Sequence, residues 1–110
     1  MSRRKPATKR ARDERLAIGL FLGWLGDRYH NTLLSGVADA VSERDANLFC
    51  FVGAELHTPY GFWVHSNVVY DLASPENLDG LAVLSTSLGT HVPIEEVQAF
   101  CDRYRPLPVT

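Results

Sequence analysis

Short apolar runs alternate with segments of helical period along this chain, and that alternation limits the fold more than any other feature. The first run, RLAIGLFLGW at 15–24, is apolar without alternation after its first residue, as in a strand buried on both faces of a parallel sheet. Residues 27–45 then change to the period of a helix. Its apolar stripe consists of Leu34, Val37, Ala38 and Val41. A second apolar run at 46–55 predicts another strand.

The second half of the sequence continues the alternation. Residues 56–66 carry Pro, two His and three aromatics without a period, which indicates a long loop. Residues 67–77 predict a short helix that begins at Asn67 as its N-cap. The stripe expected for this helix is Val68, Val69 and Leu72. Residues 78–89 predict a third strand, which follows an Asp-Gly turn and finishes in hydroxyl side chains and Gly.

Residues 92–106 have the clearest helical pattern in the sequence and predict a helix. A proline and two glutamates suit its first turn, and two arginines suit its last. The expected buried stripe is Ile94, Val97, Cys101 and Tyr104. Residues 107–110 have the pattern of the opening of a fourth strand. The order β-α-β-α-β-α-(β) predicts an α/β fold, an open parallel sheet with helices on both faces in a flavodoxin-like or Rossmann-like three-layer arrangement.

Charge divides the chain into two parts. Residues 1–15 hold seven Lys or Arg against two acids, a net charge of +5, whereas residues 16–110 hold four Arg, no Lys and eleven acids, a net charge of −7. We interpret residues 1–14 as a basic, disordered tail and residues 15–110 as one domain. The acidic domain disfavours binding to a phosphate backbone.

A basic segment followed by an apolar run is also the pattern of a secretory signal peptide. Such a peptide ends at a small-x-small cleavage site, whereas Trp24 and Leu25 precede Gly26 and Asp27 here. Removal of the run would also delete the first strand. The apolar runs are shorter than the ~20 residues that a membrane span requires. We therefore expect a cytoplasmic protein without membrane contact.

Ligands of open parallel sheets bind beyond the carboxyl ends of the strands, and this rule selects three clusters. The clusters are Trp24, Asp27, Arg28 and Tyr29 after the first strand, Gly53, Ala54 and Glu55 after the second, and Ser85, Thr86 and Ser87 after the third. None of them contains a nucleophile and base in a known motif, and the early glycines have GxxxGxxG rather than GxGxxG spacing. We therefore predict no catalytic residue and no cofactor.

The histidines and cysteines give no sign of a metal site. The four histidines lack the spacing of zinc ligands, and no Lys follows Lys9, which excludes a P-loop. Cys50 and Cys101 form no CxxC motif and fall in predicted buried elements, so we expect both to be small buried hydrophobic residues.

The first cluster suits binding better than turnover. Trp24 and Tyr29 offer flat apolar faces to a sugar-like or heterocyclic ligand, and Asp27 and Arg28 offer directional hydrogen bonds. Asp27 has a second interpretation as the N-cap of the first helix, and one carboxylate can serve both roles.

Three stretches in this order resemble the periplasmic-binding-protein-like domain of the lactose-repressor family. They are RLAIGLFLGWLGDRYHNTLLSGVADAVSERDANLFCFVG, LDGLAVLSTS and the helix ending RYRPLPV. More narrowly, the chain resembles the sensory version of that domain in bacterial histidine kinases and diguanylate cyclases. The resemblance spans residues 15–110. Members of the family have two lobes, and these residues correspond to the first part of the first lobe, so the resemblance implies that the chain is a fragment of a two-lobe protein.

The resemblance implies a non-enzymatic sensor of a sugar- or nucleoside-like effector, in a bacterial transcriptional or two-component-type regulator. The family's ligand-contacting positions match Trp24, Asp27, Tyr29, Ser85 and Thr86. A homodimer through the first-lobe helix and the sheet edge is implied as well. The residues before Leu16 are too few for a helix-turn-helix unit, so we expect no direct DNA binding. The alternative is a flavodoxin-like dimerisation module without a metabolite ligand.

Overall fold

A three-stranded parallel sheet forms the centre of the molecule. The computed structural model describes residues 15–59, 61 and 65–110. The strands are β1 (Leu16–Leu22), β2 (Ala46–Val52) and β3 (Gly80–Val83). Their spatial order is β2-β1-β3, with both pairings parallel. The open parallel α/β sheet predicted from the apolar runs is confirmed, whereas the predicted tail at 1–14 lies outside the described residues.

The start of β3 is fixed to the central strand by Asp79. The Asp79 backbone N–H donates to the Ala17 carbonyl oxygen at 2.7 Å, and its carboxylate accepts a hydrogen bond from the Ala17 N–H at 2.8 Å. On the far side of β3, Val109 forms a parallel bridge with Leu81. Residues 107–110, where the opening of a fourth strand was expected, thus pair with β3 at an isolated bridge and not as a strand of the sheet.

Helices lie on both faces of the sheet. They are α1 (Arg28–Glu43), a 3₁₀ helix (His65–Leu72), α2 (Ser85–Leu88) and α3 (Ile94–Asp102). The chain steps from β1 to one neighbour through α1 and back across β1 through the 3₁₀ helix, so right-handed crossovers place these two helices on opposite faces. Within the described residues, no helix has the length and apolar character needed to cross a membrane.

The core is an aromatic cluster beneath the 3₁₀ helix and α3. Phe21 of β1 is fully buried at its centre. Four rings lie with their centroids within 6 Å of the Phe21 centroid, and they belong to Phe51, Tyr70, Phe100 and Tyr104. The Tyr104 hydroxyl donates to the Tyr70 carbonyl oxygen at 2.8 Å, which joins α3's C-terminal end to the 3₁₀ helix.

The helix expected at 67–77 differs from the prediction in position and in type. It starts at His65 and is a 3₁₀ helix, so Asn67 lies inside it and is not its N-cap. Because this helix repeats every three residues, Asn67, Tyr70 and Ala73 point inwards. Two members of the predicted stripe, Val68 and Leu72, are therefore exposed. Residues 56–59 form the expected irregular connection, and residues 60 and 62–64 lie outside the described part.

The last two elements are also shorter than predicted. β3 ends at Val83, and the hydroxyl residues that follow it form α2 rather than the end of a strand. In α3, Ile94 is exposed, contrary to the predicted stripe, and Phe100 is buried instead. Val97 and Tyr104 of the predicted stripe are buried and Cys101 is half-buried, so the prediction is confirmed except at Ile94. Phe100, three residues after Val97, widens the stripe toward the aromatic core.

The other face of the sheet is less completely covered. α1 packs over β2, which is the edge strand, and its predicted apolar stripe is half-buried throughout. Cys50 in β2 is exposed, so the expectation of a buried residue is wrong, because no strand among the described residues flanks β2 on its outer side. Cys101 is half-buried against the core.

Candidate functional site

The loops that follow β1 and β3 are in direct contact. The Gly23 backbone N–H donates to the buried Ser87 hydroxyl oxygen at 2.7 Å. A Cβ atom at Gly23 would lie only 2.8 Å from the Ser87 carbonyl oxygen, so a larger residue would force the two loops apart. We use the name strand-end site for three segments at the carboxyl ends of the strands. They are residues 23–29, 53–55 and 85–87.

Asp27 caps the first turn of α1. Its carboxylate accepts a hydrogen bond from the His30 backbone N–H at 2.7 Å, and this bond is the main cause of the lowered pKa of Asp27. Nδ1 of His30 lies 2.8 and 3.0 Å from the two carboxylate oxygens. Because an ionised carboxylate only accepts hydrogen bonds, Nδ1 carries the proton in this contact. The capping interpretation of Asp27 is confirmed, and its role in binding stays a prediction.

Trp24 and Tyr29 present aromatic surface on either side of this cap. Trp24 is 50% exposed and Tyr29 is 59% exposed. The Tyr29 ring meets the His30 ring edge-on, with centroids 5.1 Å apart. Between them, Gly26 adopts φ 121°, a backbone conformation that favours glycine, and its N–H donates to the Asn31 side-chain oxygen at 3.2 Å. The first cluster therefore forms an ordered turn with two partly exposed aromatic side chains.

The two hydroxyl residues predicted after β3 lie in different environments. Ser85 is half-buried and lines a cavity of about 950 Å³ on the α3 side of the sheet, and Thr86 is exposed. The hydroxyl that reaches the β1 loop belongs to Ser87. Sequence reasoning placed Ser87 in the same cluster but did not select it, because a strand rather than a helical turn was expected at 85–88.

The loop after β2 is held by side chains from two directions. The Ala54 N–H donates to the Asn67 side-chain oxygen at 2.7 Å, and the Asn67 side-chain nitrogen donates to the Glu55 carbonyl oxygen at 3.1 Å. The Glu55 carboxylate lies 3.5 Å from Nε2 of His91, in the connection after α2, and both side chains are about 30% exposed. The sequence did not predict the contact between Glu55 and His91, because His91 belongs to no recognisable motif. Its only indication was the position of Glu55 at the end of an apolar strand.

A second concave region lies between the 3₁₀ helix and α3, and it begins next to residues 53–55 of the strand-end site. This groove has a volume of about 880 Å³. Nε2 of His57 lies 3.3 Å from Oε1 of Glu96, and Arg103 and Asp71 form an ion pair with 2.9 Å between Nη2 and Oδ1. Leu56, Val68 and Phe100 are among the apolar lining residues. None of the five residues predicted to contact ligand lines this groove.

The acidic and sulfur-containing side chains do not converge on a metal site. Among residues 15–59, 61 and 65–110, no three His, Cys, Asp or Glu side chains are arranged to hold a metal ion. The Asp27–His30 and Glu55–His91 contacts are each pairwise. The chemistry offered by the strand-end site is therefore hydrogen bonding and stacking on aromatic rings.

Comparison with known proteins adds no identification to this geometry. The chain matches no protein-family model, no curated protein and no solved structure. The resemblance to the lactose-repressor family therefore depends on the sequence elements named above.

Proposed function

We propose that this chain is the ligand-binding part of a small-molecule sensor that serves a bacterial transcriptional or two-component-type regulator. The observation that carries the proposal is the hydrogen bond from Gly23 N–H to Ser87 Oγ, which joins the β1 and β3 ends next to the exposed ring of Trp24. Open parallel sheets bind ligands at this edge. The sequence resembles a periplasmic-binding-protein-like lobe, which we expect in the cytoplasm, and lobes of this type also bind their effector at this edge of the sheet.

The side chains favour a sugar- or nucleoside-like effector. The faces of Trp24 and Tyr29 suit the apolar face of a sugar ring or a base, and Asp27 is ionised and accepts hydrogen bonds from hydroxyl groups. Thr86 adds an exposed hydroxyl after β3. These groups bind and orient a ligand without attacking it, so we expect no turnover, and the proposal includes no contact with DNA or a membrane.

Binding is tested by saturation-transfer NMR with D-glucose, D-ribose and adenosine. Because Trp24 and Tyr29 are each about half exposed, we expect weak binding, with a dissociation constant of about 1 mM for the best probe, which corresponds to about −4 kcal/mol. Trp24→Ala should weaken that binding about tenfold. Leu72→Ala, which removes an exposed apolar side chain far along the chain from the site, is the matched control and should leave it unchanged. Equal effects of both variants, or no signal from any probe, would refute the proposal.

A dimerisation module is the second candidate, and the outer edge of β2 favours it. β2 is an edge strand, and it exposes Phe49, Cys50 and Val52. Edge strands in monomeric proteins are usually protected by charge, proline or a bulge, and the strand sequence ANLFCFV has none of these. Antiparallel pairing of two β2 edges about a two-fold axis would give a continuous six-stranded sheet.

Sedimentation velocity over a range of protein concentrations tests this candidate. A dimer through β2 should dissociate when Phe49→Lys places a charge on the edge, whereas Val68→Lys on the exposed side of the 3₁₀ helix should leave it intact. A monomer at all concentrations, or equal loss of the dimer in both variants, would exclude the β2 interface.

A further inference from the structure

The 3₁₀ helix supplies the hydrogen bonds that hold the ends of β1 and β2. The Tyr70 hydroxyl is buried and lies 2.9 Å from the Leu22 carbonyl oxygen and 3.1 Å from the Ala54 carbonyl oxygen. The Leu22 oxygen also accepts the Gly53 N–H at 3.0 Å. Leu22 immediately precedes the loop that carries Trp24, so one hydroxyl group connects the backbones of two segments of the strand-end site.

The Tyr70 ring is closely fitted to the same backbone. A Cβ atom at Gly53 would lie 2.6 Å from Cζ of Tyr70 and 2.8 Å from its hydroxyl oxygen, so the ring occupies the space that a side chain at Gly53 would need. One helical turn earlier, Asn67 satisfies the Ala54 N–H and the Glu55 carbonyl. The backbone polar groups of the β2 end are thus paired with side chains of the 3₁₀ helix, where a mobile loop would leave them to water.

We propose that Tyr70 is a positioning residue of the strand-end site: its hydroxyl group holds the carboxyl ends of β1 and β2 at the spacing that the site requires. The binding role of that spacing rests on the proposed sensor function. Tyr70 does not reach ligand itself, because its side chain is buried in the aromatic core. Its influence passes through the Leu22 and Ala54 carbonyl groups to the loops that follow them.

The chain offers a matched control in Tyr104. Its hydroxyl is also buried and also donates to a backbone carbonyl, that of Tyr70, at 2.8 Å, but it does so between the 3₁₀ helix and the end of α3. Tyr70→Phe therefore removes a buried hydroxyl shared by two carbonyl oxygens, and Tyr104→Phe removes one that serves a single carbonyl oxygen in the same aromatic cluster. Only the first deletion touches the strand-end site.

Residue-resolved amide hydrogen exchange of the full chain separates a positioning role from a general stabilising one. We expect Tyr70→Phe to raise the exchange rate of the Gly53 amide about tenfold relative to the most protected β1 amides, because the Leu22 and Ala54 carbonyl groups are no longer joined through one hydroxyl and the end of β2 opens more often. It should also shift the amide resonances of Gly23 and Trp24. Tyr104→Phe should change neither quantity, although it lowers the unfolding temperature to a similar extent. Equal local changes in both variants, or none in either, would overturn the proposal.

A second variant keeps the test decisive where Tyr70→Phe does not fold. Asn67→Leu removes both bonds to the β2 end from a half-buried position and should raise the exchange rate of the Ala54 amide selectively. Uniform exchange changes across the sheet would contradict the positioning role of the 3₁₀ helix. These readouts need no ligand, so absence of binding of D-glucose, D-ribose and adenosine to the wild-type chain would refute the sensor function without deciding the role of Tyr70.

Discussion

Replacement of Phe21 by alanine is the most informative perturbation of the fold. Phe21 is fully buried in the central strand, with the Tyr70 centroid 4.7 Å and the Tyr104 centroid 5.1 Å from its own. Phe49 lies on the same face of the sheet in the adjacent edge strand, two residues before Phe51, which pairs with Phe21. Phe49 is 47% exposed. The two phenylalanines therefore differ mainly in burial.

The expected magnitudes differ severalfold. Truncation of a buried phenylalanine to alanine typically costs about 3–5 kcal/mol. We place Phe21→Ala near 5 kcal/mol, because the ring contacts four other rings and each aromatic pair adds about 0.5–1.5 kcal/mol beyond burial of area. Full burial of a phenylalanine is worth about 1.5–3 kcal/mol, so half-exposed Phe49 should cost about 1 kcal/mol. A folded chain of this size has about 5–15 kcal/mol in total, and Phe21→Ala removes a large share of it.

Urea unfolding followed by far-ultraviolet circular dichroism measures both changes. With a urea dependence of about 1–3 kcal/mol per molar, Phe21→Ala should lower the midpoint by about 2 M or leave the chain unfolded, and Phe49→Ala should lower it by about 0.5 M. Equal shifts for the two variants would refute the assignment of Phe21 to the centre of the core and of β2 to the edge of the sheet.

Three further predictions concern single positions. Gly53→Ala should lower the free energy of unfolding, measured in urea, by about 1–3 kcal/mol, because its Cβ would meet the Tyr70 ring. Gly36→Ala should raise that free energy by about 0.5–1 kcal/mol, because a Cβ at this position in α1 has open space around it. Changes of the same sign in both variants would contradict the packing around these two glycines. The pKa of Asp27 is lowered from its ordinary value of 3.8, chiefly by the bond from the His30 N–H, so its charge stabilises the fold above that value and the benefit is lost as pH falls through the folded pKa. The stability difference between wild type and Asp27→Asn, measured by urea unfolding, should therefore shrink as pH falls through the folded pKa of Asp27. A difference that grows over that range would contradict the capping role. A thiol reagent followed by mass spectrometry should modify exposed Cys50 before half-buried Cys101, and the reverse order would contradict their placement.

The sequence predicts the sheet because its signals are local. Apolar runs without alternation mark β1 and β2, and the Asp79-Gly80 turn marks the start of β3. The parallel topology follows from helices that separate successive strands. These features depend on residues close together in the chain, so they can be derived without knowledge of the packing.

The parts that could not be predicted depend on contacts between distant residues. The 3₁₀ period that buries Tyr70 and exposes Leu72 is set by the fit of the Tyr70 ring against Gly53, seventeen residues earlier. The exposure of Cys50 depends on strand order, which apolar content does not encode. Likewise, Ser87 rather than Ser85 contacts the β1 loop because a helical turn starts directly after β3.

Amide chemical-shift mapping of the ¹⁵N-labelled chain during titration with D-glucose, D-ribose and adenosine tests the central claim most directly, because it locates binding as well as detecting it. The proposed sensor site predicts saturable shifts concentrated at residues 23–29, 53–55 and 85–87, with α3 unaffected. Shifts confined to the groove between the 3₁₀ helix and α3, or no saturable shift at millimolar concentrations of all three probes, would contradict it.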